Sequence, residues 1–224
     1  MQIGFVLFPG LTQLDFTGPL QVLSALPGAT VHVLAKTADP VRTDTPLALV
    51  PTGTFAQASK LDMVCVPGGG MGVVEAVEDA ETVAFVREAG AQARYVSSVC
   101  TGAFILGAAG LLRGRRATTH WAYRHLLEHV GAVREDARVV RDGNVFTGGG
   151  VTAGIDFALT IAAEIAGEET ARLIQLALEY DPHPPFPGGS PDTSLPATVE
   201  SATAIMSPRV DAFGHRLRAA LAPA

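Results

Sequence analysis

Residues 61–66 form an almost continuously apolar stretch that stops at a Pro-Gly-Gly-Gly run, residues 67–70. A strand buried on both faces of a parallel sheet has this pattern, whereas a half-exposed antiparallel strand alternates apolar and polar residues. Proline and glycine end such a strand and begin a turn. The stretch therefore predicts an inner strand of a sheet that is covered on both faces.

Strand-like and helix-like segments alternate along most of the chain. Further strands are predicted at residues 2–8, 30–35, 95–99, 117–119, 139–141 and 145–147, with a short hairpin or edge pair near 46–51. Helices are predicted at residues 15–26, 81–91, 103–112, 155–166 and 168–179. This order favours a flavodoxin-like, doubly wound α/β fold, with a mostly parallel sheet flanked by helices. We see no repeat or linker, so one domain over residues 1–224 is expected.

Composition limits the function classes. Hydrophobic residues make up 48% of the chain and charged residues 17%, which is usual for a compact α/β protein. The net charge of −6 and the isoelectric point near 5.5 argue against nucleic-acid binding. The apolar stretches are shorter than the ~18 residues that span a membrane, and the first residues do not resemble a signal peptide. Two cysteines suggest neither a disulfide framework nor a zinc site, so a cytoplasmic protein is expected.

Cys100 is the candidate nucleophile. It directly follows the predicted strand 95–99 and precedes Thr101, Gly102 and a helix. Sites in doubly wound sheets lie beyond the carboxyl ends of the strands, and a strand–turn–helix junction resembles a nucleophile elbow. Helix N-terminal N–H groups are expected to favour the thiolate of Cys100. Cys65, inside an apolar strand, is expected to be a buried structural cysteine.

Two further groups are expected near Cys100. The glycine run at 67–70 follows a neighbouring strand, and its free backbone N–H groups, at Gly69 and Gly70, are expected to face the substrate. Asp15 follows the first strand between two apolar residues. A lone aspartate before a helix is commonly an N-cap. Burial and a neighbouring thiolate would instead raise the pKa of Asp15, which suits a proton donor.

His120 stands at the end of another predicted strand, beside Trp121. Histidine is a common general base near neutral pH. A lone histidine beside a tryptophan is more often structural, so we do not assign His120 as the base.

Several motifs along the chain carry a family resemblance. They lie at residues 2–9, 14–19, 67–69, 98–102, 116–123, 139–144, 147–158, 178–182 and 184–186. With these motifs the chain resembles the class I glutamine amidotransferase-like superfamily, in the clan of intracellular proteases and the Parkinsonism-associated stress protein. Asp15, where the clan more usually has glutamate, and Thr101 after the cysteine resemble the bacterial isonitrile hydratase branch. Gly70-Met71-Gly72, interpreted as a loop, departs from that branch and leaves the shape of the substrate open.

The resemblance implies a cofactor-independent lyase that hydrates a small apolar isonitrile, R–N≡C, to an N-substituted formamide. It further implies a homodimer, no metal or organic cofactor, Cys100 as nucleophile, Asp15 as its carboxyl partner, and a requirement for Thr101. In the implied mechanism Cys100 attacks the terminal carbon and Asp15 protonates it, after which water attacks the thioimidate with Asp15 as base.

Three other functions remain open at this point. The blocks at residues 118–123 and 148–158 also resemble ligand-sensing domains of transcription regulators, but no helix-turn-helix pair follows them in this sequence. A stress or redox protein would use Cys100 as a reversibly oxidised thiol. A cysteine peptidase or amidase is disfavoured because Thr101 stands where an adjacent histidine would be needed.

Overall fold

The computed structural model describes residues 1–222, and a seven-stranded sheet lies at its centre. In chain order the strands are β1 (Gln2–Val6), β2 (Thr30–Ala35), β3 (Val41–Arg42), β4 (Ala48–Leu49), β5 (Gly53–Thr54), β6 (Met63–Val66), β7 (Tyr95–Val99), β8 (Arg116–Ala117), β9 (Val133–Arg134), β10 (Val139–Asp142) and β11 (Val145–Gly148). The sheet has the order β10-β11-β7-β6-β1-β2-β5, and every pair is parallel except β10–β11. β3–β4 and β8–β9 form two small separate pairs.

Seven α-helices within residues 1–222 cover the sheet. They are α1 (Gln13–Leu23), α2 (Gly70–Glu78), α3 (Ala80–Gln92), α4 (Ala103–Ala108), α5 (Ala153–Ala166), α6 (Glu168–Ala177) and α7 (Pro196–Leu221). Helix α1 packs on α5 and α5 on α6, while α2 packs on α3, α4 and α7. The predicted doubly wound, mostly parallel α/β fold is confirmed. No helix within residues 1–222 is both long enough and apolar enough to cross a membrane.

The inner strands are the apolar ones. All residues of β6 and β7 are buried, as expected for strands with neighbours on both sides and helices above and below. β1 lies between β2 and β6, and the chain continues from β1 through α1 to β2 on one side before it returns to β6 on the other. This reversal of strand order is a switch point, where doubly wound sheets open a crevice at the carboxyl ends of their strands.

The segment at residues 70–72 differs from its sequence-based interpretation. Gly70 begins helix α2, so these residues are the first turn of a helix and not a loop. A Cβ added at Gly72 would lie 2.5 Å from the Pro9 carbonyl oxygen, so glycine allows this helix to approach the segment after β1. The helix was not predicted because two of these three residues are glycine, which has low helix propensity.

Other bounds shift in smaller ways. The hairpin predicted near 46–51 is the pair β3–β4, whose first strand starts at Val41. The helix predicted over 103–112 ends at Ala108, and Gly110 follows with a φ of 81°. Such a positive φ is favourable for glycine and ends a helix.

Candidate functional site

Cys100 occupies a strained turn between β7 and α4. Its φ of 54° lies in the left-handed region, which costs a non-glycine residue on the order of 1–3 kcal/mol. Two hydrogen bonds hold this conformation: the Cys100 N–H donates to the Gly149 carbonyl oxygen (2.9 Å), and Thr119 Oγ1 donates to the Cys100 carbonyl oxygen (2.6 Å). A Cβ added at Gly102 would lie 2.3 Å from the Val66 carbonyl oxygen. The turn therefore has the strained strand-to-helix geometry predicted from the sequence.

Asp15 lies in the first turn of α1 and is fully buried. The Gly68 N–H donates to Asp15 Oδ2 (3.1 Å). Asp15 Oδ1 has no N–H or O–H donor among residues 1–222, and the Cys100 thiol interacts with this carboxyl group. Burial raises the pKa of Asp15 to about 8, against the lowering effect of these contacts. The raised pKa that the sequence predicted for Asp15 is therefore present.

The thiol of Cys100 is not acidic in this site. Burial raises the pKa of Cys100 well above its ordinary value, and Asp15 raises it further once its carboxyl group ionises. Hydrogen bonds from the N–H and side chain of Thr101 act in the opposite direction but do not outweigh these effects. The expected thiolate at a helix N-terminus is thus wrong for the resting site. Helix α4 has only six residues, and desolvation dominates.

Thr101 joins the nucleophile to the glycine turn. The Gly69 N–H donates to Thr101 Oγ1 (3.1 Å), and the side chain of Thr101 acts to lower the pKa of the adjacent Cys100. A hydroxyl group both accepts and donates, so its own hydrogen remains available to the sulfur. The structure thus brings together all three residues predicted to act in catalysis, Cys100, Asp15 and Thr101.

The glycine turn after β6 is arranged differently from the expectation of free N–H groups. The N–H groups of Gly68 and Gly69 already donate to Asp15 and Thr101. Gly70 begins α2 with a φ of 44°, and a Cβ added there would meet no atom within 4 Å. Gly69 therefore orients a side chain of the site, and Gly70 borders open space.

Gly68 is a site residue that the sequence prediction did not single out. A Cβ added at Gly68 would lie 2.6 Å from Asp15 Oδ2 and 2.8 Å from both Thr101 N and Thr101 Oγ1. Only glycine leaves room for the carboxyl group and the threonine at this point. Its position directly after the strand-ending proline was the available signal.

Thr119 and Gly149 are the other residues that sequence reasoning missed. Both hold the backbone of Cys100, and both lie in motifs that the sequence singled out without giving them a role. They come from distant parts of the chain, so their meeting at Cys100 depends on the sheet order.

His120 and Cys65 lie outside the chemistry described so far. His120 Nδ1 accepts a hydrogen bond from the Ala122 N–H (3.3 Å), and burial lowers the pKa of His120 to about 4. Cys65 is fully buried in β6, where burial raises its pKa to about 12. His120 is therefore neutral and caps a turn, and Cys65 is an unreactive core side chain.

Within residues 1–222, no group of three His, Cys, Asp or Glu side chains is placed to hold a metal ion. The arrangement is a buried thiol and a buried carboxyl group of raised pKa, joined by a threonine. A pair of this kind adds a sulfur nucleophile and transfers a proton at one substrate atom.

Comparison with known proteins places these features in a family. Residues 1–164 match the model of the DJ-1/PfpI family. The isonitrile hydratase of Pseudomonas putida is 58% identical over 90% of this chain and 88% of that protein. The HTH-type transcriptional regulator GbdR of Pseudomonas aeruginosa is 29% identical, over 80% of this chain but only 50% of the regulator.

Solved structures agree with the sequence comparisons. The crystal structure of a THiJ/PfpI family protein from Pseudomonas syringae superposes with a TM-score of 0.93. It has 43% sequence identity and covers 99% of this chain and 90% of that one. By its sequence and by its fold, the chain belongs to the DJ-1/PfpI family.

Proposed function

We propose that this protein is an isonitrile hydratase, a cofactor-independent lyase that adds water to R–N≡C and releases an N-substituted formamide. The observation that carries the proposal is the buried pair of Cys100 and Asp15, in which Asp15 has a pKa of about 8. The 58% identity to an isonitrile hydratase over 90% of the chain supports the same reaction. A carboxyl group that stays protonated at neutral pH is a proton donor for a substrate that lacks a proton of its own.

In the first half of the proposed reaction, the Cys100 sulfur adds to the terminal carbon of the isonitrile. Asp15 delivers its proton to the same carbon and takes up the proton of the thiol. One C–S and one C–H bond form, which gives the thioimidate R–N=CH–S–Cys100. Because the thiol proton passes to Asp15 as the C–S bond forms, no free thiolate is needed beforehand. The high pKa of the Cys100 thiol therefore does not prevent addition.

In the second half, water attacks the thioimidate carbon. Asp15 protonates the nitrogen and accepts a proton from the water, so it acts as the base. The tetrahedral adduct R–NH–CH(OH)–S–Cys100 then collapses: its hydroxyl proton passes through Asp15 to the sulfur, and the C–S bond breaks. The products are R–NH–CHO and the free thiol, so atoms and protons balance.

Thr101, Gly69 and Gly70 have supporting roles in this proposal. Thr101 donates to the Cys100 sulfur when negative charge develops there, and the Gly69 N–H fixes the orientation of Thr101. We place the substituent of the isonitrile beside Gly70, because the space next to its Cα is open. We further propose that the protein acts in the cytoplasm as a homodimer and binds neither nucleic acid nor membrane.

The test is turnover of cyclohexyl isocyanide, followed by chromatographic detection of N-cyclohexylformamide. We expect Cys100→Ala to lose more than about a thousandfold in kcat, because the covalent route is removed. Cys65→Ala is the matched control and should keep its activity, since Cys65 lies in the core. Substantial turnover by Cys100→Ala would refute the mechanism. A wild-type protein whose Cys100 reacts with iodoacetamide but which forms no formamide would refute the hydratase function and favour a redox or sensing role.

A further inference from the structure

A cavity of about 520 Å³ opens at the carboxyl ends of β1 and β2, apart from Cys100, Asp15 and Thr101. Its walls are the segment after β1, the segment from the end of β2 to β3, and one side of α2. Small-molecule sites in proteins have volumes of roughly 300–1,000 Å³. The cavity is large enough for a compact organic ligand.

The inner wall of the cavity is apolar. Leu7, Phe8, Ala35, Val41 and Ala76 line it, and each of these residues exposes no more than 8% of its surface. An apolar wall of this kind releases water when an apolar group covers it. The inner part of the cavity therefore suits a hydrocarbon or aromatic group.

Five charged residues stand at the rim, and three of them are already engaged. Lys36 Nζ pairs with Asp79 (2.9 Å) and also with Glu81 (3.2 Å) just outside the cavity. Thr37 Oγ1 donates to Asp39 Oδ2 (3.0 Å). Lys36 and Asp79 are thus ion-paired, and Asp39 accepts one hydrogen bond from a neighbouring hydroxyl group.

Arg42 and Glu75 are the remaining two. Within residues 1–222 neither side chain forms an ion pair; Glu75 also interacts electrostatically with Arg216, which itself pairs with Glu78. Both residues are exposed, and both line the same cavity. A ligand with one anionic and one cationic group would match them in charge.

We propose that this cavity is a second ligand site, for a free α-amino acid with a large apolar side chain. The side chain of the ligand covers the wall formed by Leu7, Phe8 and Val41. Its carboxylate faces Arg42, and its ammonium group faces Glu75. Exposed ion pairs contribute little each, so we expect a dissociation constant on the order of 0.1–1 mM.

The position of the cavity links it to the Cys100 site through the segment after β1. Pro9 lines the cavity, and the next residue donates from its N–H to the Arg42 carbonyl oxygen (2.8 Å). A Cβ added at Gly69 would lie 2.6 Å from the Gly10 carbonyl oxygen, so the other side of this segment packs on the glycine turn of the site. We infer that a ligand in the cavity alters the reactivity of Cys100.

Calorimetric titration of the full chain tests the binding, with three ligands that share a phenyl group. L-Phenylalanine carries both charges, 3-phenylpropanoate only the negative one and phenethylamine only the positive one. We expect L-phenylalanine to bind at least fivefold more tightly than either of the others. No binding of L-phenylalanine, or equal binding of 3-phenylpropanoate, would overturn the proposal.

Substitutions at two exposed residues, Arg42 and Glu75, test which charged group of the ligand each residue binds. Arg42→Met should weaken L-phenylalanine at least fivefold and leave phenethylamine unchanged, whereas Glu75→Gln should weaken both. Arg172→Met and Glu200→Gln, on α6 and α7, are the matched controls and should bind as the wild type does. If Arg42→Met and Glu75→Gln also bind L-phenylalanine as the wild type does, the assigned site is wrong.

The link to Cys100 is tested without reference to hydratase activity. The rate of Cys100 alkylation by iodoacetamide is measured with and without saturating L-phenylalanine. We expect the rate to change at least twofold in the wild type, and the concentration of L-phenylalanine that gives half of this change to be at least fivefold higher in Arg42→Met. Equal rates in the wild type, with binding established by calorimetry, would overturn the inferred link.

Discussion

Burial raises the pKa of both Asp15 and Cys100, because it disfavours the charged form of each side chain. The Asp15 carboxyl and the Cys100 thiol are therefore both protonated over much of the neutral range, with pKa values of about 8 for Asp15 and well above the ordinary value for Cys100. The Cys100 thiol must lose a proton to react, and the neighbouring Asp15 carboxyl group must donate one. Proton transfer between them accompanies bond formation.

The raised pKa of Asp15 makes the stability of the fold depend on pH. The pKa is 3.8 without burial and about 8 in the fold, so the folded protein binds an additional proton between these values. Binding of this proton stabilises the fold. The stabilisation is complete below pH ~4, and the free energy of unfolding falls as the pH rises towards 8, by up to about 1.4 kcal/mol per pH unit. In Asp15→Asn the side chain at this position cannot ionise, so its contribution to the free energy of unfolding does not change across this pH range.

We predict that the free energy of unfolding of Asp15→Asn, minus that of the wild type, grows from pH 4 to pH 8 and then levels off. Urea denaturation at each pH measures this difference. The other titrating groups are common to both proteins and cancel. A difference that does not vary with pH would show that Asp15 ionises in the fold as it does in water.

The same two pKa shifts predict that two rates change in opposite directions with pH. Hydration of cyclohexyl isocyanide should slow above about pH 8, because Asp15 then loses the proton that it donates. Alkylation of Cys100 by iodoacetamide should instead keep rising above pH 9, because the thiolate of Cys100 forms only there. Parallel profiles of the two rates would contradict the assignment of Asp15 as the acid.

At the scale of the elements, the site depends on close backbone contact between segments that follow three different strands. Asp15 comes after β1, Gly68 after β6 and Cys100 after β7, and these three strands are neighbours in the sheet. Glycine at position 68 allows the three segments to meet, because a Cβ there would lie 2.6 Å from Asp15 Oδ2.

We predict that Gly68→Ala lowers kcat by at least a hundredfold and leaves the protein folded, because the added methyl group displaces Asp15 and Thr101. Activity and far-ultraviolet circular dichroism are measured together. Gly53→Ala is the matched control, since a Cβ there makes ordinary contact with Leu34 (3.5 Å). Normal kcat in Gly68→Ala would mean that the packing around Asp15 has more freedom than its geometry indicates.

At the scale of the whole molecule, eight large apolar side chains in the described part of the chain, residues 1–222, are at least half exposed. They are Leu47, Val50, Val133, Leu173, Leu176, Phe186, Leu195 and Ile205. Five of the eight lie between the middle of α6 and the middle of α7, so the exposed apolar residues are concentrated in this part of the sequence, and exposed apolar surface often marks an interface. They support the proposed homodimer, and we also propose that residues 1–224 form one domain around the single large sheet.

We predict a solution mass of about 46 kDa by light scattering, which is twice the 23.2 kDa chain. Leu176→Glu should raise the dimer dissociation constant at least tenfold, because burial of a charge at an interface is costly. Val133→Glu, in the separate pair β8–β9, is the control. A mass of one chain at every concentration from 1 to 100 μM would contradict the homodimer.

Much of the fold could be predicted from the sequence, because local patterns determine it. β2 and β7 were predicted with their observed bounds, since each is a short run that ends in turn residues or at the nucleophile. The position of Cys100 at the end of β7 followed from the same local pattern. The apolar neighbours of Asp15 indicated a raised pKa, whereas its place before a helix equally suited an N-cap.

The protonation of the Cys100 thiol and the hydrogen-bond partners of the glycine turn depend on tertiary contacts that the local sequence does not show. The pKa of Cys100 depends on complete burial and on the charge of a residue 85 positions away, and neither is visible in the local sequence. The hydrogen bonds that hold Cys100 and Thr101 come from Thr119, Gly149 and Gly69, which meet through the order of the strands. Local sequence determines where strands and turns form, whereas desolvation and hydrogen bonding in the site depend on which distant segments the fold packs together.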